Sequence, residues 1–298
     1  MDTRETVGFI GLGLMGRPMA HNLLKKGYPL VVHSRSQPPV DELVRAGAVR
    51  ASTPADVARQ VTRLITMLPD SPDVEEVLEG PDGVFGALQP GSILIDHSSI
   101  APAAARRLAA RAATLGAAML DAPVSGGDIG ATSGTLSIMV GGEAAAFATV
   151  RPILEAMGNP DRIVRIGDSG AGQICKVCNQ MAIGGTLAAV SEAFALARKA
   201  GVDPALVRQA LLGGFAASRV LEVHGERILN ANYKPGFKAG LYAKDLRIAS
   251  ATLAEHGTPA PVSAAVHQLV ETLVASGQGE ADYSAVATVL FGLAGLRD

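Results

Sequence analysis

At 298 residues the chain is long enough for one large or two medium domains. A net charge of −2 without any basic tract gives no footing for a nucleic-acid partner. With 48% hydrophobic residues, 4% aromatic ones and no Trp, the core must be built mostly from Ala, Val, Leu and Ile.

The first predicted element is a strand over Val7 to Ile10, followed by Gly11-Leu-Gly-Leu-Met-Gly16 and a helical pattern from Arg17 to Lys26. In a strand–turn–helix of this kind Gly11 makes the tight turn. Gly13 lets the backbone approach a pyrophosphate, and Gly16 lets helix and strand pack closely. Gly27 ends the helix, and a second strand follows over Leu30 to His33 at βαβ spacing. The segment therefore predicts a dinucleotide site, with the helix N-terminus directed at phosphate, against the alternative of a bare structural turn. The residues after the second strand select the nucleotide. An acidic side chain there would bond the ribose 2′-hydroxyl of NAD. Here the sequence is Ser34-Arg35-Ser36, with no carboxylate, and the planar fork of Arg35 suits a 2′-phosphate, the alternative being a solvated loop charge. NADP is the expected cofactor, with NAD possible.

Further strands are predicted over Arg63–Leu68, Ser92–Asp96, Ala118–Asp121 and Thr135–Val140, with a short one over Arg162–Ile166. Helical patterns such as Pro102 to Leu115 lie between them. This alternation predicts an α/β fold, a doubly wound Rossmann-type N-terminal domain. From Gly172 onward the pattern is helical almost to the end. A long helix over about Ala171 to Lys199 is expected to join the two parts. Asp203-Pro204 and Thr258-Pro259 are predicted helix starts. The expected division is an NAD(P)-binding domain over 1–168 and an all-α domain over 169–298. The most apolar stretch, Met181 to Ala197, contains Ser191 and Glu192 and is read as too short and too polar for a membrane span. Met1-Asp-Thr-Arg-Glu5 lacks the apolar segment of a secretory signal, so a cytoplasmic location is expected.

Three later segments carry chemistry. Asp121-Ala-Pro-Val-Ser-Gly-Gly127 follows a strand, where the loops of open α/β sheets meet ligands. Ser125 offers a hydroxyl, and Gly126 and Gly127 allow backbone N–H groups close to an anion. An ordinary glycine-rich turn fits the same residues. Lys176 and Asn179 lie three apart on an otherwise apolar helix and share a face. They read either as a general acid with its assistant or as a snorkelling lysine. Lys244-Asp245 reads equally as functional or as a surface ion pair. Cys175 and Cys178 lack the second ligand pair that zinc requires and are read as two buried helical thiols, and no metal site is expected.

Taken together these segments resemble the β-hydroxyacid dehydrogenase family. The match runs through Gly11–Gly16, Met67-Leu-Pro-Asp-Ser-Pro72, Asp96-His-Ser-Ser99, Asp121–Gly127, Gly170-Ala-Gly-Gln-Ile-Cys-Lys-Val-Cys-Asn179 and Lys244-Asp-Leu246. The resemblance implies an NAD(P)-dependent oxidoreductase acting on a small carboxylate that bears a 3-hydroxyl or aldehyde. It implies Lys176 as catalytic acid/base with Asn179 beside it, and Ser125, Gly126 and Gly127 on the substrate. It places Gly11, Leu12, Gly13, Leu14, Met15, Gly16, Ser34, Arg35, Ser36, Met67, Leu68, Pro69, Ser99 and Lys244 against the cofactor. Ser99 stands where many relatives carry Thr. Non-catalytic nucleotide-binding relatives and imine reductases tend to lack the lysine that this chain retains. The resemblance also implies a homodimer or homotetramer assembled through the helical domain.

Overall fold

The computed structural model describes residues 4–296. They divide into two compact units, one ending at Lys176 and one beginning at Val177.

The first unit is built on a single sheet. Its strands are β1 (Val7–Ile10), β2 (Leu30–His33), β3 (Val49–Arg50), β4 (Arg63–Thr66), β5 (Ile93–Asp96), β6 (Ala118–Asp121), β7 (Val124–Ser125), β8 (Leu136–Gly141) and β9 (Gly158–Gly167). The order is β3-β2-β1-β4-β5-β6-β8-β7, with β9 paired to β8. The strands β1 to β6 run parallel where they pair, with Val7 opposite Leu30 on one side and Arg63 on the other. The strand β8 is antiparallel to β6 and β7. Helices α1 (Gly16–Lys25), α2 (Gln37–Arg45), α6 (Gly127–Ser133) and α7 (Ala144–Leu154) share one apolar layer with Val7 and Phe9. Helices α3 (Pro54–Ala58), α4 (Ser71–Glu79) and α5 (Pro102–Thr114) share the other with Ile10 and Leu64. Both faces are covered, which is why β1 and β5 are buried at every residue and are apolar apart from Asp96 at the end of β5. The strands β3 and β7 were not legible in the sequence, because two-residue strands carry no periodicity.

Helix α8 (Ala171–Lys199) has the extent that the sequence predicts. Its opening turns, up to Lys176, belong to the sheet-bearing unit. The buried Asp121 explains this. Its carboxylate accepts hydrogen bonds from the backbone N–H groups of Gly170 (2.7 Å) and Gln173 (2.9 Å), so the end of β6 caps the helix. By length and composition alone α8 could cross a membrane, contrary to the sequence expectation. Gln173 and Gln180 are nonetheless buried on it and hydrogen-bonded within the protein, as in a core helix. Cys175 is half-buried and Cys178 exposed, so the expectation of two buried thiols is corrected.

The second unit continues with α9 (Pro204–Leu212), α10 (Arg219–Leu229), α11 (Ala239–Glu255), α12 (Pro261–Leu273) and α13 (Val286–Leu293). Asp203 caps α9, accepting from the Ala205 N–H at 2.8 Å. The start predicted at Thr258-Pro259 is displaced to Pro261. Ala260 precedes a second proline, which excludes it from the helical region, and its φ of −143° and ψ of 69° show this. Phe194, Tyr242 and Phe291 anchor the core.

Candidate active site

The glycine turn spans the space between β1 and α1. Gly11 has a φ of +97°, and a β-carbon there would strike the Met67 carbonyl oxygen. A β-carbon on Gly16 would strike the carbonyl oxygen of Gly11. Both glycines serve close packing, whereas Gly13 has nothing within 4 Å of its missing β-carbon and faces open space. No side chain caps α1, and its first turn holds no acidic residue. Around Gly13, Leu12 is buried, Leu14 exposed and Met15 packed against the core layer. The result is a run of backbone with room for a group at Gly13 and a positive helix dipole behind it.

The neighbouring strand ends complete this rim. After β2, the Ser34 Oγ accepts from the Leu12 N–H at 3.4 Å. Arg35 is 82% exposed and lies 3.3 Å from Asp73 on α4. Ser36 begins α2 without capping it through its side chain. After β4, the Met67 N–H bonds the Ile10 carbonyl at 3.0 Å, and the Leu68 N–H donates to the Ser98 Oγ at 2.8 Å. Pro69 is exposed at the tip. After β5, Ser99 is half-buried. These segments sit at the carboxyl ends of β1, β2, β4 and β5. The strand order turns between β1 and β4, which is where open α/β sheets bind their ligands.

Beneath this rim lies a buried polar layer. The Asp96 Oδ1 accepts from the Thr66 hydroxyl at 2.8 Å and from the Ser98 N–H at 3.1 Å. Burial pushes the Asp96 carboxyl up to about 6, against those hydrogen bonds. His97 is fully buried and bonds the Ala122 carbonyl through Nδ1 at 2.6 Å. Burial drives its pKa down to about 4, so the ring is neutral and Nδ1 is the donor. Gln173 reaches across from α8. Its Nε2 donates to the Ser98 carbonyl (2.8 Å) and its Oε1 accepts from the Ile100 N–H (3.2 Å), holding the chain on both sides of Ser99.

The segment after β6 meets α8 directly. The Lys176 ammonium donates to the Val124 carbonyl at 2.9 Å, placing the half-buried lysine beside Ser125. Ser125 ends β7, and Gly126 and Gly127 start α6, so the glycine pair is a strand–helix junction and not a free turn. The φ angles of Gly126 (137°) and Gly127 (61°) lie in the region that glycine tolerates best. Successive N–H groups in such a conformation can converge on an anion.

In the second unit, the Asn179 Nδ2 donates to the Gln180 Oε1 at 2.8 Å. Lys244 and Asp245 on α11 are both buried, so the sequence alternative of a surface ion pair is excluded. The Lys244 ammonium lies 2.8 Å from the Asp245 Oδ1, without the angular geometry of a hydrogen bond.

The family scan agrees with this architecture. Residues 6–171 match the model of the NAD-binding domain of 6-phosphogluconate dehydrogenase. Residues 170–290 match the NAD-binding domain of NADP-dependent 3-hydroxyisobutyrate dehydrogenase. The 2-hydroxy-3-oxopropionate reductase of Escherichia coli is 46% identical over 95% of this chain and 96% of its own length. The chain belongs to the β-hydroxyacid dehydrogenase family. It is an NAD(P)-dependent oxidoreductase. Among solved structures, Mycobacterium tuberculosis 3-hydroxyisobutyrate dehydrogenase with L-serine superposes at a TM-score of 0.88 and 31% identity, covering 96% of this chain and 99% of the other. A protein named Psf3, in complex with NADP+ and 2-OPP, superposes at 0.86 and 30% identity, covering 96% and 100%.

The residues present fit a dinucleotide. Gly13 faces open space at an uncapped helix N-terminus, and this is the donor set a pyrophosphate requires. The sequence reading missed Gln173 and Gln180. A signal was available, since Gln173, Lys176 and Gln180 form a polar stripe at i, i+3 and i+7 on an apolar helix.

Proposed function

We propose that this dehydrogenase reduces 2-hydroxy-3-oxopropionate (tartronate semialdehyde) to D-glycerate, with NADPH as reductant. The observation that carries the reading is the 2.9 Å bond from the Lys176 ammonium to the Val124 carbonyl, which holds the proton donor beside Ser125, Gly126 and Gly127. When bound, the cofactor supplies a hydride from its nicotinamide C4 to the aldehyde carbon. Negative charge then grows on the carbonyl oxygen, and the Lys176 ammonium donates its proton there. In the oxidative direction neutral Lys176 takes the hydroxyl proton. Asn179, one turn along the same helix face, aligns the groups that exchange this proton. Ser125 and the N–H groups of Gly126 and Gly127 hold the carboxylate and hydroxyl of the substrate. Gly11, Leu12, Gly13, Leu14, Met15 and Gly16 cradle the pyrophosphate. Met67, Leu68, Pro69, Ser99 and Lys244 complete the cofactor contacts.

Arg35 supports NADP over NAD. Its guanidinium is exposed, and among the described residues a 3.3 Å surface contact to Asp73 is what competes for it. Ser34 and Ser36 flank it with hydroxyls. The substrate choice is supported by the 46% identical reductase. A second reading, oxidation of 3-hydroxyisobutyrate or L-serine, is favoured by the likeness to the Mycobacterium enzyme. We place the enzyme in the cytoplasm as a homodimer or homotetramer, without nucleic-acid or membrane partners. The exposed apolar side chains of Leu206 and Phe215 in the helical unit support self-association, which sedimentation would test.

The deciding experiment compares kcat/KM for tartronate semialdehyde, methylmalonate semialdehyde and glycolaldehyde. Glycolaldehyde lacks the carboxylate and should react at least about tenfold more slowly, because the backbone donors would go unpaired. Equal rates would remove the carboxylate anchor. A preference for methylmalonate semialdehyde would favour the second reading.

A further inference from the structure

A chain of polar side chains runs through the interior of the helical unit. The Asp245 Oδ2 accepts from the Gln180 Nε2 at 2.5 Å, and the Gln180 Oε1 accepts from the Asn179 Nδ2 at 2.8 Å. The other oxygen of Asp245 faces the Lys244 ammonium at 2.8 Å. Gln180, Lys244 and Asp245 are all at least nine-tenths buried. The Gln180 backbone is fixed as well, since its carbonyl accepts from the Tyr242 hydroxyl at 2.8 Å.

The order of donors in this chain follows from chemistry. An ionised carboxylate accepts hydrogen bonds and cannot donate them. Asp245 therefore takes the NH2 end of the Gln180 amide and leaves the oxygen end toward Asn179. That oxygen in turn takes the NH2 end of Asn179 and turns the Asn179 Oδ1 away. Without the charge at one end, either amide could rotate by half a turn at little expense.

We propose that Asp245 and Gln180 are positioning residues that set the amide orientation of Asn179, so that Asn179 presents its Oδ1 acceptor to the reaction. An acceptor there suits the N–H of the Lys176 ammonium or the hydroxyl proton of the alcohol, both of which must be aligned for transfer. The inference rests on the role given to Asn179 and Lys176 above.

The test moves the charge along the chain. Asp245→Asn keeps the volume but can present either end to Gln180, so kcat should fall at least about tenfold with the substrate KM changed less than about threefold. The double variant Gln180→Glu/Asp245→Asn puts the acceptor-only group at position 180. Asn179 must again offer its NH2, and kcat should recover to within about threefold of wild type. A purely structural role predicts no such recovery. Gln180→Met, of similar volume, should match the kcat loss and serves if Asp245→Asn does not fold. The side-chain NH2 resonances of Gln180 and Asn179, assigned by their loss in Gln180→Met and Asn179→Ala, should shift in Asp245→Asn. Wild-type kcat in a folded Asp245→Asn, or a folded double variant no better than the single one, overturns the proposal. If Asn179→Ala itself kept wild-type kcat, the functional reading of Asn179 would fall instead. The NH2 shifts would then decide the relay alone: movement supports it and no movement overturns it.

Discussion

The two units handle polar groups in opposite ways. In the sheet-bearing unit the functional groups are turned outward at the ends of parallel strands. The glycine turn opens to space at Gly13, and Arg35 is 82% exposed. In the helical unit the polar groups are turned inward. Asp245 sits 4% exposed against Gln180 and Lys244, and Asp282 is 1% exposed. Asp282 accepts from the N–H groups of Gly236 (3.0 Å) and Phe237 (3.2 Å) and from the Ser284 hydroxyl (2.6 Å), and Arg227 lies 3.6 Å away. The first arrangement gives short motifs that work where a strand stops. The second gives carboxylates held by groups dozens of residues away, Gln180 for Asp245 and the Gly236 and Phe237 N–H groups for Asp282.

If that contrast is right, removing an outward group should abolish chemistry and spare the fold. The largest expected effect is Lys176→Ala, which should lower kcat by roughly 10²–10⁴, the range for a positioned acid or base. The thermal midpoint and NADPH binding, followed by nucleotide fluorescence, should be retained. A variant that keeps more than about a tenth of wild-type turnover, with hydride transfer rate-limiting, would break the assignment.

Asp282, inward and outside the Asp245–Gln180–Asn179 chain, should do the reverse. Asp282→Ala strands four backbone or hydroxyl donors and the Arg227 guanidinium, and should cost about 3–5 kcal/mol by urea denaturation. The fraction that stays folded should turn over normally. A loss below about 1 kcal/mol would show that this carboxylate is not a structural knot.

The buried layer under the cofactor rim sharpens the comparison, because it is inward yet lies in the first unit. The folded Asp96 keeps its proton up to about pH 6, against an ordinary carboxyl value of 3.8. Folding therefore takes up a proton in that window, and stability from Asp96 is gained as pH falls through 6 and lost as it rises. The folded His97 stays neutral down to about pH 4, against an ordinary 6.5, so its contribution is present above 6.5 and lost as pH falls. The two shifts oppose one another between about pH 4 and 6. Asp96→Asn should leave the His97 loss uncompensated, making the variant more acid-sensitive than wild type by up to about 3 kcal/mol across that window. His97→Gln should do the opposite and gain stability on acidification relative to wild type. Parallel pH–stability curves for both variants and wild type would refute the pairing.

The smallest effect should come from the most exposed group. Arg35→Ala should reduce the NADPH over NADH preference in kcat/KM by about 10- to 150-fold, corresponding to about 1.5–3 kcal/mol for a charged hydrogen-bonded contact. An unchanged ratio, or a wild-type preference for NADH, would remove the NADP assignment.

The sequence by itself determined the longer strands of the first unit in their order and the full length of α8, because apolar runs, glycine turns and proline starts act over a few residues. It marked Gly11, Gly13, Gly16, Lys176 and Asn179 through local spacing. It did not reveal β3 and β7, which are too short for a pattern, while Pro261, the second proline that delays α12, was in plain view and was passed over. Only the tertiary structure decided that the Lys176 ammonium rests on the Val124 carbonyl, that Gln173 grips the chain around Ser99, and that Lys244-Asp245 is buried. Each of these joins residues far apart in the chain. A lysine on an apolar helix has the same local pattern whether it faces solvent or a carbonyl, and burial is fixed by what packs against it.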